Sequence, residues 1–115
     1  MGKRSDFERV PRDYYPTPLA AVEPLIPHLP YTFDYVEPCA GDRRLIQHID
    51  ELTGGHGECL YACDIDPRHP DVFAFDALTL DIGGRGVIDY CITNPPWDRK
   101  ILHPLIYHWM QQCPT

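Results

Sequence analysis

Four apolar, strand-like runs, each ended abruptly by polar or proline-rich residues, constrain the fold of this chain more than any other feature. The runs cover positions 33–37, 59–63, 71–75 and 87–92. A helical pattern separates the first two runs and ends at Gly54-Gly55. Its apolar stripe comprises Leu45, Ile46, Ile49 and Leu52. Apolar strands that alternate with helices or short crossovers are typical of a mostly parallel sheet, so we predict an α/β fold.

Two further helices are predicted outside the four runs. The first follows Thr17, a good N-cap, and Pro18, which suits the first helical turn. Pro24 and Pro27 either limit this helix to a few turns or kink it. The last helix is expected over positions 101–112. Its predicted buried face comprises Leu102, Leu105, Ile106 and Trp109.

Polar side chains follow each of the four runs at its carboxyl end. They are Glu37, Asp64, Asp76 and Asn94. The carboxyl ends of parallel strands meet at one edge of a sheet, and ligands of α/β folds bind outside that edge. The sequence therefore predicts that these four side chains share one site.

The loop Asn94-Pro95-Pro96-Trp97 combines a rigid backbone with an amide and a large aromatic ring. Two consecutive prolines cannot donate backbone hydrogen bonds, so the strand must stop there. The Asn94 amide and a backbone carbonyl can accept hydrogen bonds from an amine, and Trp97 can stack on a ring. The loop is therefore suited to a planar substrate that carries an amine.

The turn after the first run, Glu37-Pro38-Cys39-Ala40-Gly41-Asp42, has small residues where backbone can approach a ligand closely. Asp64 lies about 20 residues beyond Gly41, the spacing at which nucleoside-binding α/β folds place a carboxylate for the ribose hydroxyls. Ile65 could cover an adenine face, and Asp76 could accept from its exocyclic amine. Neither GxGxxG nor GK[ST] occurs, so a nucleoside cofactor without pyrophosphate fits better than NAD or ATP.

Length and charge narrow the class of protein. The 115 residues fit one small domain, which we assign to positions 14–115. The net charge of -7 argues against a chain that binds nucleic acid by charge alone. We expect positions 1–13 to form a flexible basic arm with Lys3, Arg4, Arg9 and Arg12. This arm either touches phosphate or is a solvated tail, and we favour the tail.

The cysteines and the absence of a leader predict a cytoplasmic protein. We expect neither a signal peptide nor a membrane span, because no apolar core follows the charged first residues and no apolar stretch reaches about 18 residues. The five cysteines are odd in number, which suggests reduced thiols. Their spacing, like that of the six histidines, does not suit zinc, so no metal is expected.

Taken in order, these motifs resemble a family of S-adenosylmethionine-dependent DNA methyltransferases that modify exocyclic amines. The residues that carry the resemblance are Tyr15-Pro16-Thr17-Pro18, Glu37-Pro38-Cys39-Ala40-Gly41-Asp42, Asp64-Ile65-Asp66-Pro67, Asp76 and Asn94-Pro95-Pro96-Trp97. The chain is most similar to N6-adenine methylases of the phage type, and the resemblance spans positions 14–97. It implies a Rossmann-like class I fold, S-adenosylmethionine as cofactor, DNA with a flipped adenine as substrate, and the host cytoplasm as location if a phage encodes the chain.

The resemblance also implies a role for each matching residue. The methionine part and sulfonium of the cofactor would contact Tyr15, Thr17, Pro18, Glu37, Pro38, Cys39, Ala40 and Gly41. Asp64 would hold the ribose, while Ile65 and Asp76 would hold the adenine. Asn94 and the carbonyl of Pro95 would bind the target amine. Pro96 would stiffen the catalytic loop, and Trp97 would stack on the flipped base.

Two departures from the family pattern raise questions. Arg43 stands where the family usually has a second glycine, and we expect it either to crowd the cofactor or to pair with its carboxylate. Family members also have further strands after the catalytic loop. We therefore expect a fold truncated after about four strands, with the fourth strand's edge exposed. The chain would then be a fragment, a protein whose sheet is completed by a partner or by self-association, or a reduced protein with another role.

Two alternative functions stay open. The same motifs suit a methyltransferase that acts on RNA or on a protein glutamine. A non-catalytic module that binds a partner protein would also explain the missing half of the sheet, the charge of -7 and the exposed edge.

Overall fold

The computed structural model describes residues 16–79 and 88–112. Its helices are α1 at Leu19–Val22, a 3-10 helix at Glu23–His28, α2 at Arg44–Thr53 and α3 at Arg99–Gln112. Its strands are β1 at Phe33–Glu37, β2 at Gly57–Asp64, β3 at Phe73–Ala74 and β4 at Tyr90–Cys91. The predicted basic arm, Tyr15 and the start of the fourth predicted strand lie outside the described residues.

The four strands form one sheet in the order β3-β2-β1-β4, and every pair is parallel. The predicted α/β fold with a parallel sheet is thus confirmed. β1 pairs with β2 from Phe33 to Glu37, but with β4 only at Tyr35 and Val36. Because β1 is a central strand, the end of β1 at Glu37 lies between the ends of β2 and β4. Within the described residues, β4 pairs with β1 alone and forms one edge of the sheet.

Helices cover both faces of the sheet. Successive residues of a strand point to opposite faces, so Tyr35 and Val36 belong to different parts of the core. On the Tyr35 face, α1 and α2 contribute Val22, Leu45, Ile46 and Ile49. On the Val36 face, α3 contributes Leu105 and Trp109, which pack with Cys63, Ala77 and Ile88. The result is a three-layer arrangement that leaves the carboxyl ends of the strands open for a site.

The first helix departs from its predicted start. Pro18, not Thr17, is the N-cap of α1, and its backbone is extended. The Thr17 hydroxyl instead accepts a hydrogen bond from the side chain of Asn94. The α-helix ends after four residues and continues as the 3-10 helix that contains Pro24 and Pro27, as the prolines predicted.

The remaining differences concern how far elements extend. β3 and β4 have two residues each. Each is an edge strand that pairs with one neighbour, β2 or β1, at two positions only. Ile106 is 48% exposed, although it was predicted to be buried with Leu105 and Trp109. One residue corresponds to about 100° around a helix, which turns Ile106 away from the sheet. No helix in the described ranges is both long and apolar enough to cross a membrane.

Candidate functional site

A cavity of about 290 Å³ lies at the carboxyl ends of the strands. It brings together residues that are far apart in sequence but follow β1, β2, β3 and β4. The predicted site residues that line it are Thr17, Glu37, Pro38, Cys39, Ala40, Gly41, Asp64, Ile65, Asp76, Asn94 and Pro96. The parallel sheet therefore gathers one residue set from each of the four strand ends, as the α/β pattern predicts.

Three predicted site residues lie elsewhere among the described residues. Pro18 lines a second cavity of about 240 Å³ beneath α1. Pro95 and Trp97 are outside the lining of the larger cavity, although Trp97 contacts Asn94, which lines both cavities. Trp97 is 54% exposed and so has an accessible ring.

Glu37 is a buried acid at the centre of the site, with 1% of its surface exposed. Burial raises the pKa of Glu37 to about 8, and the nearby Asp64 carboxylate acts in the same direction. The backbone N–H of Cys39 donates to Glu37 Oε1 at 2.8 Å, which opposes the rise by stabilising the carboxylate. Glu37 is therefore mostly protonated at neutral pH and gains a charge only if a cation approaches or the pH rises.

Asp64 joins the end of β2 to the turn after β1. Its Oδ2 accepts from the backbone N–H of Gly41 at 2.8 Å, and its Oδ1 accepts from the N–H of Asp66 at 2.8 Å. Gly41 has φ of 54°, a left-handed value that glycine adopts without steric strain. A carboxylate has about four acceptor positions, so these two bonds leave capacity for the hydroxyl groups of a ligand.

Arg43 does not line the cavity, and its two expected roles toward the cofactor stay predictions. Among the described residues that line the cavity are Arg44 and Arg68, not Arg43. Arg43 instead has φ of 69° and precedes the first turn of α2. This left-handed conformation explains why a glycine would be favoured at this position, since a Cβ atom disfavours it.

The cavity has an acidic lining that sequence reasoning described only in part. Asp42 and Asp66 join the predicted acids, and each forms an ion pair, Arg44–Asp42 at 3.3 Å and Arg68–Asp66 at 4.0 Å. All four residues follow the ends of β1 or β2, and this position in the sequence could have identified them as residues of the site. Because both arginines have an acidic partner, the remaining carboxylates of the lining favour a cationic ligand.

Apolar residues of the helices and turns form the rest of the lining. They are Pro16, Leu45, Ala77, Leu78, Ile101 and Leu105. Sequence reasoning assigned the apolar residues of the helices to the core, because a helical stripe does not reveal which part meets a cavity. Together with Ile65 they provide surface for an apolar ring.

Asp76 has a turn role and also lines the cavity. Its Oδ1 accepts from the N–H of Leu78 at 2.9 Å, and its carbonyl accepts from the N–H of Thr79 at 3.0 Å. The tight turn holds the Asp76 carboxylate beside Ala77 and Leu78 in the lining.

The side chain of Asn94 is held between two other side chains. Asn94 Nδ2 donates to Thr17 Oγ1 at 3.1 Å, and the indole Nε1 of Trp97 donates to Asn94 Oδ1 at 3.3 Å. His48 Nε2 in turn donates to the carbonyl of Thr17 at 3.0 Å. Thr17 therefore links α2, through its carbonyl, to the loop after β4, through its hydroxyl.

Two thiols near the ends of β1 and β2 have raised pKa values. Burial raises the pKa of Cys63 to about 12 and also raises that of Cys39, so both thiols stay protonated near neutral pH. Across the described ranges, no group of three or more His, Cys, Asp or Glu residues could hold a metal ion.

Comparison with known proteins gives no match among protein-family models, curated proteins or solved structures. The functional interpretation therefore depends on the residues of the cavity and on their chemistry.

Proposed function

We propose that this chain is a class I methyltransferase domain that uses S-adenosylmethionine to methylate the exocyclic N6 amine of adenine in DNA. The observation that carries this proposal is one cavity lined by the acids Glu37 and Asp64 and by the amide Asn94. The acids suit a cationic nucleoside cofactor, and the amide suits the hydrogens of a planar amine.

The residues present fit S-adenosylmethionine better than a phosphorylated nucleotide. Asp64 would hold the ribose hydroxyls, with Ile65 and Asp76 at the adenine. The turn from Glu37 to Gly41 would hold the methionine part, where positive charge favours the carboxylate form of Glu37. The cavity of about 290 Å³ is at the lower end of the range of about 300–1,000 Å³ typical of ligand pockets.

Asn94 and its loop would orient the target. When bound, S-adenosylmethionine would supply the electrophilic methyl group: the N6–CH3 bond would form as the S–CH3 bond breaks, S-adenosylhomocysteine would leave, and the extra proton on nitrogen would pass to water. Asn94 Oδ1 and the carbonyl of Pro95 accept the two N–H hydrogens, which directs the nitrogen lone pair away from them. Exposed Trp97 stacks on the extruded base and offsets part of the few kcal/mol that unstacking costs. Catalysis then comes mainly from proximity and orientation, without a strong base.

Calorimetric titration of S-adenosylmethionine tests the cofactor assignment. We expect binding by the wild type, weaker binding by Asp64→Ala, and unchanged binding by Glu58→Ala. Glu58 is the matched control because it is an exposed carboxylate on the same strand, β2. An unchanged affinity in Asp64→Ala would rule out the ribose role, and no binding by the wild type would overturn the proposal.

A substrate panel tests the acceptor. Radiolabelled methyl transfer should be largest to adenine in DNA and smaller to RNA or to a glutamine-containing peptide. Preferential methylation of RNA or glutamine would support the alternative substrates that the same loop suits.

A protein-binding module is the second candidate function, in which a partner or a second copy completes the sheet. Within the described residues β4 is an edge, and α3 exposes Ile106, Tyr107 and Met110. Light scattering distinguishes the two: a dimer without affinity for S-adenosylmethionine favours this module, whereas cofactor binding by a monomer favours the enzyme.

A further inference from the structure

The orientation of the Asn94 side chain is determined by the chemistry of its two partners. The indole N–H of Trp97 can only donate, so the Asn94 atom that it contacts at 3.3 Å must be the amide oxygen. The amide nitrogen of Asn94 then faces the Thr17 hydroxyl, which can accept at 3.1 Å. If the amide were turned by 180°, its NH2 group would face the indole N–H of Trp97, and two donors without an acceptor would meet.

Thr17 itself is fixed to the core through α2. Its carbonyl can only accept, so His48 Nε2 carries the hydrogen of the bond at 3.0 Å. His48 lies one residue before Ile49, which is fully buried in the core. The bond to His48 thereby holds Thr17 in place beside Asn94, although the two residues are 77 positions apart in sequence.

We propose that Thr17 is a positioning residue that fixes the Asn94 amide with its oxygen toward Trp97 and the approaching substrate. This inference rests on the proposed function and sharpens its substrate class, because an outward oxygen selects substrates that donate N–H groups. The indole of Trp97 illustrates the selection, since it is a planar N–H donor on that same oxygen. The oxygen has two lone pairs, so it can accept from an amine as well.

The role differs from the contact with the cofactor that sequence resemblance assigns to Thr17. A cofactor contact would change the affinity for S-adenosylmethionine. A positioning role instead changes the methyl-transfer rate at saturating cofactor and the environment of the Trp97 indole N–H. These quantities can be measured separately.

The test compares Thr17→Val with Thr17→Ser. Valine keeps the shape of threonine but removes the acceptor, whereas serine keeps the hydroxyl. Both retain the backbone carbonyl that accepts from His48. For each variant we would measure cofactor affinity by calorimetry, single-turnover methyl transfer to adenine DNA, and the ¹H–¹⁵N resonances of the Asn94 amide and Trp97 indole.

We expect Thr17→Val to slow methyl transfer at saturating cofactor by about three- to tenfold, as loss of one hydrogen bond predicts. Its cofactor affinity should be unchanged, and its Asn94 and Trp97 resonances should shift. Thr17→Ser should retain the wild-type rate and resonances. Equal losses in both variants, a loss of cofactor affinity alone, or unshifted resonances in Thr17→Val would overturn the positioning role.

The two proposals fail in different ways. If the wild type binds S-adenosylmethionine and methylates DNA but Thr17→Val matches it, only the positioning role is wrong. If the wild type neither binds cofactor nor transfers methyl groups, the enzymatic function is wrong and the substrate selection falls with it.

Discussion

Different kinds of hydrogen bond predominate in two halves of the cavity: the cofactor half, where we propose that the cofactor binds at the ends of β1 and β2, and the loop half, formed by the loop after β4. At the ends of β1 and β2, the carboxylates of Glu37 and Asp64 accept from backbone N–H groups. After β4, by contrast, the bonds among Thr17, Asn94 and Trp97 join side chains to one another.

This difference separates what the fold fixes from what side-chain rotation can change. Backbone donors move only with their strand or turn, and β1 pairs with β2 over its whole length from Phe33 to Glu37. β1 pairs with β4 only at Tyr35 and Val36, and exposed Trp97 can leave Asn94 by rotating its side chain. We infer that the turns at the ends of β1 and β2 are more rigid than the side chain of Trp97.

The largest expected effect is on the loop half. Asn94→Ala removes the oxygen that accepts from the amine, and we expect methyl transfer to fall by about 100-fold or more, as for loss of a key transition-state contact. Affinity for S-adenosylmethionine should change by less than about threefold, because the contact proposed for the Asn94 side chain is with the target amine and not with the cofactor. Single-turnover kinetics measures the methyl-transfer rate and calorimetry measures the cofactor affinity. A fully active Asn94→Ala variant would show that Asn94 does not bind the target amine.

The next effect concerns the buried acid of the cofactor half. The pKa of Glu37 is raised from 4.5 to about 8, so the folded state holds a proton that the unfolded state has lost between these values. The stabilisation is complete below pH 4.5 and disappears as the pH rises through about 8. Glu37→Gln mimics the protonated acid. Its stability relative to wild type should therefore rise with pH, by about 5 kcal/mol across this window.

Urea unfolding of both proteins from pH 4.5 to pH 9 measures this difference. Glu58→Gln, which removes an exposed carboxylate from β2, is the control and should follow the wild type. A constant difference between Glu37→Gln and wild type at every pH would show that Glu37 titrates normally.

A smaller effect is expected for the bonds that tie β2 to the turn after β1. Asp64→Ala removes the acceptor of the Gly41 and Asp66 N–H groups, and should lower the free energy of unfolding by about 2 kcal/mol. It should also weaken S-adenosylmethionine binding by about 1–3 kcal/mol. The stability change should exceed that of Thr17→Val, which removes one side-chain bond. The reverse order would contradict the distinction between the two halves.

The smallest effect concerns the strained start of α2. Arg43→Gly should raise the free energy of unfolding by about 1 kcal/mol, because glycine adopts φ of 69° without the Cβ penalty. Arg43→Ala keeps the Cβ atom and should show no such gain, so it separates backbone strain from loss of the arginine side chain. An equal gain in both variants would point to the side chain instead.

The pattern along the sequence predicted the architecture well, for a local reason. Apolar runs and helical stripes depend on nearby residues. The sequence therefore predicted β1, α2 and the end of α2 at Gly54 correctly. The short extents of β3 and β4 and the exposure of Ile106 were missed, because pairing and packing depend on neighbours from distant parts of the chain.

The sequence by itself determined that Glu37, Asp64, Asp76 and Asn94 lie at or shortly after the carboxyl ends of parallel strands, which bring such residues to one edge of the sheet. Only the tertiary structure decided what each of them contacts. The Gly41–Asp64 bond spans 23 positions and the Thr17–Asn94 bond spans 77. The raised pKa of Glu37 likewise comes from burial beneath other elements. A residue's type and local pattern give its chemistry, but its partners and its solvation are set by the packing of the whole chain.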